Sequence, residues 1–191
     1  MRYPRDFTIL TLIMLAAYLV TLPVPSTAQS LDRIGELPVI VVVRHANKAP
    51  EPLDDPPLTA DGVKRAQDLA AALRGAGVAG VVTTQLRRTR ETATPLAATL
   101  GLTPQVVQRG PRGSVEHLKA LEAAARRYVG TVVVIGHDDT VPGLIAHLGG
   151  PRLPNICDLV YDNFFVLFPA GGKMNFMHTR YGVPTPDSEC K

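Results

Sequence analysis

The stretch Val39-Ile40-Val41-Val42-Val43-Arg44-His45-Ala46-Asn47-Lys48 decides the fold, together with its counterpart Thr131-Val132-Val133-Val134-Ile135-Gly136-His137-Asp138-Asp139-Thr140. In each, a run of Val and Ile stops abruptly at polar and charged residues. A short β-branched apolar run bounded in this way reads as a buried strand that delivers its last side chains to the edge of a sheet. Open α/β sheets place their chemistry at that edge. Arg44, His45 and His137 are therefore candidate functional residues by position alone.

Working outward, strand and helix patterns alternate. A proline-rich loop over 49–57 leads to Thr59, a good helix N-cap, and to an amphipathic segment over 60–74 with Val63, Ala66, Leu69, Ala70 and Leu73 on one face. A strand over 79–83 precedes a helix over 86–100, closed by Gly101 as its C-cap. A short strand at 105–107, a helix from Ser114 to about Arg127, a strand at 131–135 and a helix at 141–148 follow. Segments 164–168 and 174–178, across Ala170-Gly171-Gly172, read as a hairpin or a pair of edge strands. The alternation predicts an α/β fold, a three-layer αβα sandwich whose central sheet is mostly parallel with an antiparallel addition near the end. Gly75-Ala76-Gly77-Val78-Ala79-Gly80 spells a dinucleotide-binding pattern, but it follows a helix and precedes a strand, so it reads as a helix stop and turn.

Between the two histidine-tipped strands, Thr83-Thr84-Gln85-Leu86-Arg87-Arg88-Thr89-Arg90-Glu91-Thr92-Ala93 turns an apolar segment into an arginine-studded helix. Two histidines, Arg44 and an arginine of this cluster make a positive pocket suited to a phosphoryl group, because guanidinium grips phosphate oxygens in a bidentate fork. The chain has no Walker sequence, no Cys-x-x-Cys and no close-spaced histidine pair, so neither a dedicated nucleotide site nor a metal site is expected.

The ordered set Arg44-His45, Leu86-x-Arg88-Thr89-x-x-Thr92-Ala93 and Gly136-His137-x-x-Thr140 resembles the histidine phosphatase superfamily, the phosphoglycerate mutase-like proteins, over about residues 38–150. Ala46 stands where that family usually has Gly, Asn47-Lys48 where an acid and a hydroxyl residue are common, and Asp138-Asp139 where short bacterial members carry a small or polar pair. The resemblance implies a phosphoglycerate mutase-like fold and a metal-independent phosphomonoesterase that needs no cofactor. It implies His45 as the nucleophile, forming a phosphohistidine that water clears, with Arg44, Arg88 and His137 binding the phosphoryl oxygens. For a neutral imidazole to attack, its other nitrogen should donate to a fixed acceptor that holds the tautomer. Arg87 and Arg90 fall on other faces of the helix and are expected in solvent; His117, His147 and His178 lack a partner motif.

Protonation of the leaving group calls for a carboxylic acid near the bridging oxygen. Asp138 is similar to the His-Asp arrangement of the acid phosphatase and phytase branch, and Asp139 follows it. Glu116 lies in the loop-helix region where other members hold an acid, and reads equally as a first-turn carboxylate favoured by the helix dipole. Asn47 and Lys48 line a substrate entrance or are simply loop residues. A strand and helices fill most of the chain between Arg88 and His137, leaving little room for the lid-like insertion of true mutases. The resemblance is thus to the short branch, which includes phosphohistidine and lipopolysaccharide-phosphate phosphatases, with a small phosphorylated substrate or an envelope phosphate group as partner. The alternative is a non-catalytic phosphate-binding or envelope-interaction module on the same fold.

Arg2 and Arg5 precede an uncharged apolar stretch over 7–22, and Ser26 and Ala28 occupy the two small-residue positions of a cleavage site. A signal peptide over 1–28 and a single domain over 29–191 are expected, in a periplasmic or secreted protein. The apolar stretch is shorter than the ~20 residues of a spanning helix, so no stable membrane insertion is expected after cleavage. The formal charge is +3, and Arg2, Arg5 and Asp6 belong to the removed segment, so the remainder carries one positive charge fewer. So mild a basicity is no nucleic-acid footprint. The two cysteines, Cys157 and Cys190, invite a disulfide in an exported protein.

Overall fold

A computed structural model describes residues 37–185 and 190. The expected signal peptide lies outside the described residues. Strand β1 (Val39–Arg44) takes the centre of the sheet because its side chains are apolar in both directions. Ile40 and Val42 enter one core; Val41 and Val43 enter the other. Strand β4 (Thr131–Gly136) pairs with it in parallel, Val41 against Val133 and Arg44 against Gly136, and divides its side chains between the same two cores. Two apolar faces require a covering layer on each side.

Helices supply both layers. Helix α1 (Ala60–Ala72) and helix α2 (Arg87–Leu100) bring Leu69, Ala93 and Leu96 to one face, while helix α3 (Val115–Ala125) and helix α4 (Thr140–His147) bring Leu121, Leu144 and Ile145 to the other. With β2 (Val78–Thr84), β3 (Gln105–Val107), β5 (Asn163–Ala170) and β6 (Lys173–Arg180), the sheet runs β3-β2-β4-β1-β5-β6. The first four strands in that order are parallel, and β5 and β6 are antiparallel additions joined by the predicted hairpin. The architecture is the expected three-layer sandwich.

Thr59 caps α1 by accepting from the Gly62 amide at 3.1 Å, and Ser114 caps α3 by accepting from the His117 amide at 3.2 Å. Gly101 ends α2 with φ of 65°, a left-handed position open to glycine. One expected face is corrected. Val63 on α1 is exposed, and the buried stripe is Gly62, Arg65, Ala66 and Leu69. Arg65 goes inward because Asn47 Oδ1 and the carbonyls of Tyr181 and Val183 accept from its guanidinium. Cys157 and Cys190 form the expected disulfide. Among the described residues no helix is long and apolar enough to cross a membrane.

Candidate active site

Parallel pairing of β2, β4 and β1 sends their C-terminal ends to one edge of the sheet. That edge carries Thr84, His137 and the pair Arg44-His45. The His45 and His137 rings lie 5.4 Å apart between centroids, edge to face, and both side chains are buried.

His45 Nδ1 lies 2.8 Å from the Ala46 carbonyl oxygen. A carbonyl only accepts, so Nδ1 carries the proton and Nε2 keeps its lone pair. Burial first, then the positive charges of Arg44, Arg88 and Lys48, push the His45 pKa down to about 3. The ring is therefore neutral at physiological pH and holds the tautomer a nitrogen nucleophile needs.

The turn carrying His45 is anchored from α2. Thr92 Oγ1 accepts from the Ala46 amide at 2.9 Å and donates to the Arg88 carbonyl at 2.7 Å. Arg88 Nη2 donates to His137 Nδ1 at 3.4 Å, which leaves the proton on Nε2 to be donated to Thr84 Oγ1 at 3.1 Å. Burial, followed by the neighbouring His45, Arg88 and Arg109, holds His137 far below the ordinary histidine range. Its backbone amide donates to Thr140 Oγ1 at 2.8 Å. Gly136 is required in this turn because a Cβ there would fall 2.9 Å from that hydroxyl.

Arg44 is fully buried. Its Nη1 donates to the carbonyls of Cys157 at 2.7 Å and Val160 at 3.1 Å, its Nη2 donates to Asp158 Oδ1 at 3.1 Å, and its guanidinium lies 4.3 Å from the Tyr161 ring centre. Nε of Arg44, like Nε of Arg88 and of Arg109, is buried without a protein partner. Buried N–H groups of cations are costly to leave unpaired, and an oxyanion satisfies them.

The carboxylates beside the site are already engaged. Asp138 accepts from Arg112 at 2.6 Å, and Asp139 accepts from Arg109 Nη2 through both oxygens at 3.1 Å. Glu116 is exposed on the first turn of α3, accepting from Ser114 Oγ at 3.1 Å; its own backbone amide first, and then this contact, hold its carboxyl below the usual range. That is the geometry of a helix-end carboxylate, and no contact among the described residues joins Glu116 to either site histidine. Asn47 Oδ1 accepts from Arg65 Nε at 2.8 Å, whereas Lys48 is exposed and near enough for its charge to act on His45. Arg87 and Arg90 are exposed, as expected. Among the described residues no group of three or more His, Cys, Asp or Glu is placed to hold a metal ion.

Residues 40–109 match the family model of the histidine phosphatase superfamily, branch 1, a span that includes Arg44, His45 and Arg88; the fold adds His137 to the same site. Over those residues the chain is similar to the histidine phosphatase superfamily. Solved structures similar to it include the protein histidine phosphatase SixA complexed with tungstate, at 22% identity and TM-score 0.59, covering 74% of this chain and 96% of that one. YhfR of Bacillus stearothermophilus matches at 16% identity and TM-score 0.56, covering 72% and 94%. A phosphoserine phosphatase of Entamoeba histolytica in complex with 3-phosphoglyceric acid matches at 13% identity and TM-score 0.51, covering 77% and 98%. These likenesses establish the shared fold. No curated protein sequence matches the chain.

Within this site, the sequence motifs do not single out Thr84, Arg109, Asp158 and Tyr161. Thr84 sits inside the quoted motif, and its place at a strand end was the available signal. The other three come from segments without periodicity, where only the fold shows what they approach.

Proposed function

We propose that the protein is an exported phosphomonoesterase that hydrolyses phosphate esters without a metal, through a phosphohistidine on His45. The observation that carries this is the His45 ring itself: neutral, buried, with Nδ1–H fixed to the Ala46 carbonyl and Nε2 left as a lone pair beside Arg44 and Arg88. In-line attack by Nε2 on phosphorus forms the N–P bond as the ester P–O bond breaks, and the leaving oxygen takes a proton. Water then attacks the phosphohistidine and restores the free imidazole. The unpaired Nε groups of Arg44 and Arg88 supply donors for the equatorial oxygens, whose charge the transition state spreads. The tungstate complex of the related SixA supports a tetrahedral oxyanion as the ligand of this pocket. Asp138 is the best-placed proton donor, since it follows His137 and its charge acts on Arg88 and Tyr161. To donate, it must exchange its Arg112 ion pair for a proton. The Cys157–Cys190 disulfide supports a periplasmic or secreted location.

The engaged state of Asp138 and Asp139 favours one second reading, a phosphate-binding module without turnover. The deciding experiment is phosphate release from p-nitrophenyl phosphate in EDTA, comparing residues 29–191 with His45→Ala. Activity that survives chelation and falls roughly 10⁴-fold or more in the variant is the expected outcome. Folded protein that binds phosphate yet releases none from this ester or from a phosphoramidate would select the binding module. Among active forms, Asp138→Asn should slow alkyl esters far more than p-nitrophenyl phosphate, whose leaving group needs no proton.

A further inference from the structure

We infer that the disulfide-tethered segment over residues 157–161 is the positioning device for Arg44, so that oxyanion affinity in this site depends on the Cys157–Cys190 bond. The inference rests on the proposed role of Arg44 in binding the phosphoryl group.

Among the described residues, every hydrogen-bonding or ring partner of the Arg44 guanidinium comes from five consecutive residues: the carbonyls of Cys157 and Val160, the Asp158 carboxylate and the Tyr161 ring. These partners occupy both hydrogens of Nη1 and one of Nη2. What remains for a ligand is Nε, which is buried and unpaired, and the second hydrogen of Nη2. The segment thus fixes which edge of the fork is offered. An arginine otherwise has a long flexible stem, and ordering it beforehand removes that cost from ligand binding.

The segment has little regular structure to hold it. It lies between α4 and β5, with a turn at Asp158 and Leu159, both well exposed. The adjoining Ile156 amide donates to the Asp138 carbonyl at 2.9 Å, and within the segment the Val160 amide donates to the Cys157 carbonyl at 3.0 Å and the Tyr161 amide to Thr185 Oγ1 at 3.3 Å. The covalent tie is at Cys157, the residue whose carbonyl makes the shortest bond to Arg44. Cutting it frees the turn at the point where Arg44 is held.

The test is the dissociation constant of tungstate, measured calorimetrically on the oxidised protein, on protein reduced by dithiothreitol and on a Cys157→Ser/Cys190→Ser double variant. Reduction passes two electrons to the disulfide, giving two thiols and oxidised dithiothreitol. Circular dichroism checks that the fold persists. Binding weakened roughly three- to tenfold in both disulfide-free forms is expected. In an Arg44→Lys background, cutting the disulfide should change affinity no further, because lysine cannot span the same acceptors. Asp158→Ala, at an exposed position that does not threaten the fold, should weaken tungstate in the same direction. Equal affinity with and without the disulfide overturns the inference, as does an undiminished effect in Arg44→Lys. Tungstate binding to none of the forms would instead overturn the oxyanion pocket itself.

Discussion

His45 and His137 together set the proton inventory of the pocket, and the two rings are protonated on different nitrogens. His45 keeps its proton on Nδ1 for the Ala46 carbonyl; His137 keeps its proton on Nε2 for Thr84 and turns Nδ1, a lone pair, toward Arg88. A lone pair cannot donate to an oxyanion. For His137 to grip a phosphoryl oxygen, Nδ1 must take a proton, and a dianion placed beside it raises its pKa toward that state. Ligand binding should therefore draw protons from solution. Tungstate is the cleaner probe, because it stays unprotonated at neutral pH. Calorimetric heats in buffers of differing ionisation enthalpy should show uptake of up to about one proton per tungstate at neutral pH, abolished in His137→Gln. Heats that do not depend on the buffer would mean that the arginines hold the anion alone.

At the scale of elements, the site is a joint between the turn after β1 and the first turns of α2. Thr92 makes that joint: it accepts the Ala46 amide and donates to the Arg88 carbonyl one helical turn back. Thr92→Val keeps the shape and removes the acceptor, leaving the Ala46 N–H buried and unpaired. Urea unfolding should show a loss of about 1–3 kcal/mol, and kcat should fall as well, because the Ala46 carbonyl orients His45; Thr92→Ser should restore both. A Val variant with wild-type stability and rate would show that the joint lies elsewhere. The strands were legible because β-branched runs with sharp polar ends have few other readings, and Arg88 and Thr92 were legible only as members of an ordered motif. The inward face of α1 was misread for a physical reason. Helical period places Val63 beside Ala66 and Ala70, yet the carbonyls of Tyr181 and Val183 draw Arg65 inward from far along the chain and turn the face of Gly62, Arg65 and Leu69 to the core. Arg109, Asp158 and Tyr161 were hidden for the same reason: they lie on loops, and Arg44 meets Asp158 across 114 positions of sequence.

Over the whole molecule, burying neutral imidazoles couples the site to stability. In the unfolded chain His45 and His137 take protons near the ordinary value of 6.5, whereas in the folded protein His45 does so only near pH 3 and His137 lower still. Above pH 6.5 both states hold these rings neutral, and their burial adds no pH dependence. Below it the unfolded chain binds protons that the folded chain refuses, so stability falls as pH drops toward 3, by up to ~1.4 kcal/mol per pH unit for each ring. His117, buried and also shifted downward, acts in the same direction. Depressed carboxyls such as that of Asp162 have the same sign but act only below the ordinary carboxylate range, so the histidines govern the first part of the fall. The disulfide offsets part of this, contributing about 3 to 4 kcal/mol by the chain-entropy model for its span. The urea midpoint should stay level between about pH 7 and 8 and then decline steadily between about pH 6.5 and 4.5, with a shallower slope in His137→Asn. A midpoint that stays level down to about pH 4.5 would mean that these rings accept protons while folded. The neutral nucleophile assigned to His45 would then be wrong at acidic pH, and the same titration would appear in the rate of phosphate release.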